Sequence, residues 1–289
     1  MPQIEAALEY LQKLQLYERE KPYWCFLPPS EGYDPNVDRV DNLEFEEHGN
    51  ILIRDLRECE DPAPHIDDWG FQFLSHRSAF GSFNKAEDVA RYRVETEELL
   101  KTTMNAVYVN CYDSVLRKNI VFKRDHLDLA DPLHTEGPAR GVHNDITYKS
   151  GPLVINRFMS DAEKARFLRP GYRIRIINTW RTLIPVLKDR PLAFCDSRSV
   201  DPSDLVAADR IIPENVGEVY YLTYNPKHQW YWLEEQTPEE PLIFVMYDTK
   251  DGPHGRFCPH VSFKNPRCPE DAPPRESIET RSIVITKDG

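Results

Sequence analysis

The second half of the chain is a succession of short segments rich in β-branched and aromatic residues, separated by proline, glycine and asparagine. Such segments are typical of buried or half-buried strands, and they are too short for ordinary helices. They favour a closed or sandwiched antiparallel sheet. The predicted strands are Tyr172–Trp180, Pro191–Cys195, Glu218–Tyr224, Gln229–Leu233, Pro241–Tyr247, Pro259–Phe263 and Arg281–Thr286.

The first half mixes helical and strand patterns. Ala86–Met104 predicts an amphipathic helix packed on the outside of a sheet, because its apolar side chains recur on one stripe. Residues 4–16 fit a helix face and an alternating strand equally well. Ser160–Leu168 predicts a short helix with a capping box, since Glu163 follows Ser160 by three residues. Further short strands are predicted at Asn50–Asp55, Ala106–Tyr112 and Asn119–Lys123.

Size and charge narrow the function classes. A chain of 289 residues with 40% hydrophobic residues suits a single domain with a sizeable core. A net charge of −12 argues against nucleic-acid partners and anionic membrane surfaces. No apolar run could cross a bilayer, and the N-terminus lacks the apolar core of a secretory signal. We therefore expect a cytoplasmic protein with free cysteines, either a monomer or a homodimer.

His143 and Asp145 place an imidazole and a carboxylate two residues apart. On a strand, residues with this spacing point to the same face. Together with one distant histidine they would form the facial triad of non-haem iron(II) oxygenases, which leaves positions open for a co-substrate and dioxygen. By itself the pair is a weak signal, since a His-x-Asp sequence is frequent by chance.

The third ligand has to come from a later histidine. His228 lies in a predicted hairpin turn, Tyr224–Gln229, where a solvated side chain is typical, and His254 lies in a loop. His260 lies on a predicted strand, which holds a ligand more rigidly than a loop does. We therefore predict that His260 completes a metal site with His143 and Asp145.

An anchor for a co-substrate follows His260 by fifteen residues. In an extended segment, Arg275 and Ser277 share one side, and arginine binds carboxylates through two parallel charge-assisted bonds. This pair suits the distal carboxylate of 2-oxoglutarate, whose keto-acid end would chelate the metal. The segment could form the neighbouring strand of a hairpin with His260. Arg281 is a competing anchor, and a surface ion pair is the alternative role for Arg275.

Asn178 and Arg181 lie on opposite faces of one predicted strand. We expect one of the two to reach the metal pocket and contact 2-oxoglutarate or a substrate carboxylate. Structural hydrogen bonding inside a barrel is an equally good explanation for either residue.

The order of these motifs resembles the AsaB-like family of Fe(II)/2-oxoglutarate-dependent oxygenases. That family includes fungal hydroxylase/desaturase enzymes of secondary metabolism, gibberellin desaturase-like proteins and relatives of a cephem methoxylase component. One departure is Thr182, which stands where the family usually has a proline directly after its NxWR motif, so the loop and the substrate pocket there are expected to differ. The matching segments span most of the chain and read IRDLRE, WGFQFLSH, YRVETEELL, GVHNDIT, NTWR, PLAFCD, MYDTKDG, CPHVSF and PRESIETRSIVI.

The resemblance implies an α+β, mainly β chain with a double-stranded β-helix core of the jelly-roll or cupin-like kind. It implies one oxygenase domain over residues 1–289, with 1–105 as an N-terminal elaboration and 106–289 as the core. It further implies iron(II) on His143, Asp145 and His260, 2-oxoglutarate on Arg275, and dioxygen as oxidant of a small organic or natural-product substrate. The reaction would be a hydroxylation, desaturation or cyclisation.

Two alternatives compete with an oxygenase. The first is a structural zinc protein, because His254, Cys258, His260 and Cys268 cluster within fifteen residues. Their spacing is not that of a standard zinc module. The second is a catalytically inactive β-barrel that acts as an interaction protein, against which the intact ligand set argues.

Overall fold

The computed structural model describes residues 3–27, 34, 39–59, 63–121, 131–212, 215–252 and 255–288. Within these ranges the chain is mostly strand, with few helices. The elements in chain order are β1 (Ile4–Leu11), β2 (Tyr23–Cys25), β3 (Phe45–Asp55), β4 (Phe71–Phe73), α1 (Ala86–Thr103), β5 (Tyr108–Lys118), β6 (Thr135–Glu136), β7 (His143–Asn144), α2 (Ser150–Phe158), α3 (Asp161–Phe167), β8 (Tyr172–Thr182), β9 (Leu192–Cys195), β10 (Leu205–Ile212), β11 (Asn215–Leu222), β12 (Trp230–Trp232), β13 (Leu242–Asp248), β14 (His260–Ser262) and β15 (Glu276–Lys287).

The strands form two sheets. The large sheet has nine strands in the order β1-β3-β12-β9-β14-β7-β11-β10-β2, and the small sheet has six in the order β4-β13-β8-β15-β5-β6. Most neighbours are antiparallel, but β2 with β10, β3 with β12, and β5 with β6 pair in parallel. Both sheets are therefore mixed, whereas the sequence pattern predicts a closed or sandwiched antiparallel sheet.

The main core lies between the two sheets. Phe194 of β9 in the large sheet packs in one buried apolar cluster with Ile176 of β8 and Phe244 of β13 in the small sheet. Burying one such side chain contributes about 1.5–3 kcal/mol. Because side chains alternate along a strand, Ala193 and Cys195 point to the other face of β9, where they join a second cluster.

Several predicted elements are confirmed, with small shifts at their ends. Of the ambiguous residues 4–16, Ile4–Leu11 form strand β1, whose side chains alternate between buried and more exposed positions, and a short 3-10 helix begins at Gln15. Helix α1 packs Leu100 against Ile177 and Val284 on the outer face of the small sheet, as predicted. Helix α3 carries the predicted capping box between Ser160 and Glu163.

Other predicted elements differ from the structure. Strand β10 was not predicted, because its run LVAADRII is interrupted by two charged residues. The segment Tyr224–Gln229 is not a hairpin turn, since β11 pairs with β10 and β7 while β12 pairs with β3 and β9. Asn119–Val121 lies beyond the end of β5 and is not a strand, and residues 122 and 123 lie outside the described residues. Among the described helices, none has the length and apolar character to span a membrane.

Candidate metal centre

The three predicted ligands meet between the sheets. One ligand atom from each of His143, Asp145 and His260 lies within 4.8 Å of the other two. His143 and His260 face each other in the register of β7 and β14, with ring centroids 4.4 Å apart. Asp145 follows the end of β7, and its Oδ1 lies 3.5 Å from Nε2 of His143. The prediction that His143 and Asp145 share a face assumed a continuous strand. The strand ends at Asn144, but the two side chains converge nevertheless.

The backbone fixes how each imidazole is oriented. Nδ1 of His143 lies 2.9 Å from the carbonyl oxygen of Gly141, and Nδ1 of His260 lies 3.1 Å from that of Cys258. A carbonyl oxygen can only accept, so Nδ1 carries the proton and Nε2 keeps its lone pair for a metal. Gly141 has a φ of 70°, and the ring of Phe45 occupies the space that a Cβ would need. That position therefore requires glycine.

Burial keeps both imidazoles in the neutral form that binds metals. Burial and the neighbouring His260 together lower the pKa of His143 to about 4, although Asp145 opposes the shift. Burial also lowers the pKa of His260, against the attraction of Asp145. Near neutral pH the centre therefore offers two lone pairs without first losing protons.

Two donors from the small sheet hold the other oxygen of Asp145. Oδ2 accepts hydrogen bonds from Nδ2 of Asn178 at 2.8 Å and from Nε of Arg281 at 3.1 Å. Burial alone would raise the pKa of Asp145, but Arg281 and the two histidines hold it well below its usual range. The carboxylate is therefore ionised, with Oδ2 occupied and Oδ1 turned towards the imidazoles.

Arg281 is fully committed to carboxylates of the protein. Besides Asp145, it donates to Asp113 at 2.8 Å and to Glu279 at 3.0 Å. In this arrangement it supports a ligand and has no free fork for 2-oxoglutarate, so it does not fit the role of competing anchor. The sequence does not indicate Asp113 as a partner of this arginine, and it indicates Glu279 only as a surface ion-pair partner of Arg275. Glu279, Arg281 and Ile283 are spaced two residues apart, so on a strand their side chains share one face. This spacing could have indicated that Glu279 lies beside Arg281.

Arg275 and Ser277 have unused polar atoms. Both residues are about 1% exposed. Among the described residues, Nε of Arg275 and Oγ of Ser277 have no hydrogen-bond partner. Burial lowers the pKa of Arg275, which indicates a cation short of compensating partners. The predicted hairpin with His260 is wrong, because β14 belongs to the large sheet and β15 to the small one.

The structure does not bring Arg181 to the metal pocket. Arg181 lies on the opposite face of β8 from Asn178 and donates to the hydroxyl of Tyr92 at 3.0 Å and to the carbonyl of His76 at 3.0 Å. Of the two candidates, only Asn178 contacts a predicted ligand. Arg181 instead ties α1 and the segment around His76 to the outside of the small sheet.

His228 is buried, so the prediction of a solvated turn residue is wrong. Its Nε2 lies 3.1 Å from Oδ2 of Asp204, and its Nδ1 lies 3.3 Å from the hydroxyl of Tyr10. The sequence pattern placed it in a hairpin that does not exist, so its burial could not be foreseen.

The zinc cluster gains no support from the described residues. Cys258 directs its sulfur towards the carbonyls of Cys195 and Pro259, and Cys268 towards that of Pro269. His254 lies outside the described residues. Within the part of the chain that the structure describes, the three residues His143, Asp145 and His260 form the group arranged to hold a metal.

The chain is similar to known oxidoreductases over most of its length. Residues 8–285 match the family model described as the oxidoreductase/YMDC permease-like domain. The hydroxylase/desaturase efuI of Hormonema carpetanum is 33% identical over 255 residues, which cover 82% of this chain and 84% of that protein. The alpha-ketoglutarate-dependent dioxygenase tstK of Talaromyces stipitatus is 27% identical over 281 residues, covering 90% of this chain and 94% of that protein.

A solved structure with the same fold is that of the iron and alpha-ketoglutarate-dependent endoperoxidase NvfI. It superimposes with a TM-score of 0.82 at 25% identity, and the match covers 99% of both chains. The likeness therefore extends beyond the metal centre to the whole arrangement of the two sheets.

Proposed function

Because this chain belongs to the oxidoreductase family that includes hydroxylase/desaturases and 2-oxoglutarate-dependent dioxygenases, we propose that His143, Asp145 and His260 are its iron ligands. The protein is a non-haem Fe(II)- and 2-oxoglutarate-dependent dioxygenase of secondary metabolism, with dioxygen as oxidant. The observation that carries the ligand assignment is the convergence of three ligand atoms within 4.8 Å. Two neutral imidazoles and one carboxylate are the donor set that such iron sites use.

The residues present fit an iron(II) ion. Both imidazoles are oriented by backbone carbonyls, and the carboxylate is oriented by Asn178 and Arg281. Such supporting bonds fix ligand geometry and are part of a working metal site. His143, Asp145 and His260 would hold the ion, which when bound supplies the activation of dioxygen that side chains cannot provide.

We assign the anchoring of 2-oxoglutarate to Arg275 and Ser277. The co-substrate's distal carboxylate would satisfy the Nε of Arg275 and the Oγ of Ser277, two buried polar atoms without partners among the described residues. Leaving buried polar atoms unpaired costs folding free energy. The simplest explanation is that a bound ligand accepts hydrogen bonds from these two atoms. The backbone carbonyl of Arg190 accepts a hydrogen bond from Nη1 of Arg275, and Oδ2 of Asp189 accepts one from its backbone N–H. These two bonds fix the position of Arg275.

The chain also shapes the surroundings in which the reaction takes place. The ring of Phe244 lies 4.8 Å from that of His260, and the ring of Phe194 lies 6.4 Å from it. These apolar walls exclude water from one side of the centre. Glu279 stays close to Arg281, and burial raises the pKa of its carboxyl while Arg281 lowers it. The protein thus orients, desolvates and holds charges in place, and the substrate carbon nearest the metal would be oxidised.

The same proposal extends to the fold, the domain and the location. The two facing sheets support a double-stranded β-helix, and we assign it to residues 106–289. Strands β1, β2 and β3 join the large sheet and β4 joins the small one, which supports one domain over residues 1–289. A cytoplasmic location, as a monomer or homodimer, stays a prediction.

The test is metal and co-substrate binding under anaerobic conditions. Wild-type protein loaded with iron(II) should give a visible charge-transfer band when 2-oxoglutarate is added. His143→Ala and Asp145→Ala should remove iron binding while the protein stays folded, as checked by circular dichroism. Arg166→Gln, a change at an exposed position on α3, is the control. Iron retained at wild-type stoichiometry in both ligand variants would show that the centre is elsewhere. Zinc found at full occupancy in His143→Ala would favour the structural zinc alternative.

A further inference from the structure

Arg210 of β10 lies on the face of the large sheet that carries the metal centre. Tyr221 of β11 is directly opposite His143, and Gly217 of the same strand is directly opposite Arg210. Directly opposed residues share one face of a sheet, as do residues two apart along one strand. Since Tyr221 and Gly217 are four residues apart, His143, Tyr221, Gly217 and Arg210 all lie on one face.

Electrostatic coupling supports the same placement. Burial raises the pKa of Tyr221 to about 12, and both Asp145 and Arg210 contribute to the shift, in opposite directions. Burial lowers the pKa of Arg210, and Arg281 and Arg117 lower it as well, whereas Glu136 and Asp145 raise it. The guanidinium is therefore within electrostatic range of the metal centre.

Like Arg275, and unlike Arg281 and Arg117, Arg210 has no carboxylate within ion-pair distance among the described residues. Arg281 binds Asp145, Asp113 and Glu279, and Arg117 binds Glu136 at 3.0 Å. Among the described residues, the side chain of Arg210 forms no hydrogen bond or ion pair, although its backbone is paired in the sheet. Glu136 and Asp145 attract this cation, but neither forms an ion pair with it, because Glu136 binds Arg117 and Asp145 binds Arg281. A largely buried guanidinium without a direct counter-charge is costly.

An aromatic shelf lies beside this cation. The guanidinium carbon of Arg210 is 4.9 Å from the ring centroid of Phe26. The ring of Phe26 stacks on that of Trp24 at 4.4 Å, and Trp24 is paired with Arg210 in the parallel register of β2 and β10. Both rings are partly exposed. A flat apolar surface next to a cation suits a ligand that combines an apolar ring system with an acidic group.

We propose that Arg210 binds a carboxylate of the organic substrate and that Trp24 and Phe26 contact its apolar ring system, so that the substrate is an apolar carboxylic acid. This rests on the proposed function, because it places the substrate beside an iron centre. The pair His143–Tyr221 and the pair Arg210–Gly217 are about 14 Å apart along β11, since they are separated by four strand residues. This distance suits an extended substrate better than a two- or three-carbon acid. The co-substrate has its own cation, Arg275, which precedes β15 of the opposite sheet.

The experiment compares acids with their uncharged amides. Naphthoic, anthracene-carboxylic and pyrene-butyric acids, each paired with its primary amide, are dialysed to equilibrium against the anaerobic protein loaded with iron(II) and 2-oxoglutarate. At least one acid should bind about tenfold more tightly than its amide, because a bond to a charged group is lost in the amide. Arg210→Gln should abolish that preference and leave amide binding within about twofold of wild type.

The control is Arg166→Gln, because Arg166 is an exposed arginine that also covers a phenylalanine ring, that of Phe167, at 4.8 Å. It should keep the full acid preference. The proposal is overturned if no acid of the panel is preferred by wild type, or if the preference survives Arg210→Gln. It is also overturned if Arg210→Gln raises the 2-oxoglutarate concentration needed for the visible band, since Arg210 would then belong to the co-substrate site. A wild-type protein that prefers acids but forms no band would instead refute the proposed function.

Discussion

At the scale of single residues, Asp145 has two oxygens with separate tasks. Oδ2 is bound by Asn178 and Arg281, and Oδ1 lies towards His143. A carboxylate held in this way presents one oxygen to a metal in a fixed direction. Asn178 and Arg281 are thus positioning residues that act through Asp145.

Arg275 gives the sharpest prediction for the co-substrate. Arg275→Gln should raise the 2-oxoglutarate concentration needed for half-saturation by about 10- to 100-fold, because the charge-assisted bonding of the carboxylate to the guanidinium is lost. The visible band of the anaerobic iron protein measures this. Iron affinity without 2-oxoglutarate should stay unchanged, and folding should be retained because the variant removes a buried charge that lacks an ionic partner. A half-saturation concentration equal to that of wild type would exclude Arg275 as the anchor.

The sequence indicated which residues are candidate ligands and anchors, but it indicated less about where their side chains point. His143, Asp145 and His260 could be picked out because metal ligands are few in kind and their order along the chain is readable. The separate roles of Arg275 and Arg281 could not be predicted from the sequence, because each arginine stands on a strand-like segment within two residues of a glutamate. Only the pairing of β15 with β8 and β5 shows that Arg281 is opposite Asn178 and Asp113.

At the scale of elements, a buried polar cluster joins β1 to β12. Tyr10 accepts a hydrogen bond from Nε1 of Trp230 at 2.9 Å and lies 3.3 Å from Nδ1 of His228. Asp204 accepts from Nε2 of His228 and from Nδ2 of Asn225. The cluster is satisfied when His228 is neutral, because its Nδ1 can then accept from the hydroxyl of Tyr10.

This cluster predicts a dependence of stability on pH. Burial lowers the pKa of His228 below its ordinary 6.5, although Asp204 opposes the shift. Below pH 6.5 the unfolded chain therefore takes up a proton that the folded chain resists, and the free energy of unfolding should fall as the pH drops. Urea titrations between pH 8 and pH 5 measure it. His228→Gln should reduce this slope without abolishing it, because the buried His143 and His260 contribute in the same direction. Arg166→Gln, an exposed change that removes no histidine, should leave the slope unchanged. Equal slopes in wild type and His228→Gln would contradict the prediction.

Elements with a strong local pattern were predictable. The stripe of α1 and the capping box of α3 are set by residues within a few positions of each other, so the sequence carries them. Strand β10 was missed because charged Asp209 and Arg210 interrupt it, and each is stabilised by non-local contacts: Asp209 binds Lys21, and Arg210 covers Phe26. Pairing between distant strands depends on contacts that no short pattern contains.

At the scale of the whole molecule, ligand binding should stabilise the fold. A metal and a co-substrate, each at about a hundredfold excess over its dissociation constant, would each add about 2.7 kcal/mol of stability. For a domain of this size each of the two should raise the Tm by about 5 to 10 °C. Thermal unfolding followed by circular dichroism, with and without iron(II) and 2-oxoglutarate under anaerobic conditions, tests this. Asp145→Ala should lose most of the rise, and an undiminished rise in that variant would place the bound metal elsewhere.

The metal centre draws on both sheets at once. The two histidines belong to strands of the large sheet, while Asn178 and Arg281, which hold the third ligand, belong to the small sheet. The distance between the sheets is set by core residues such as Phe194 and Phe244. Core packing and metal affinity are therefore linked quantities. When substitutions enlarge the interior for a bulkier substrate, they also loosen the iron, so the substrate range available to this protein is limited by its hold on the metal.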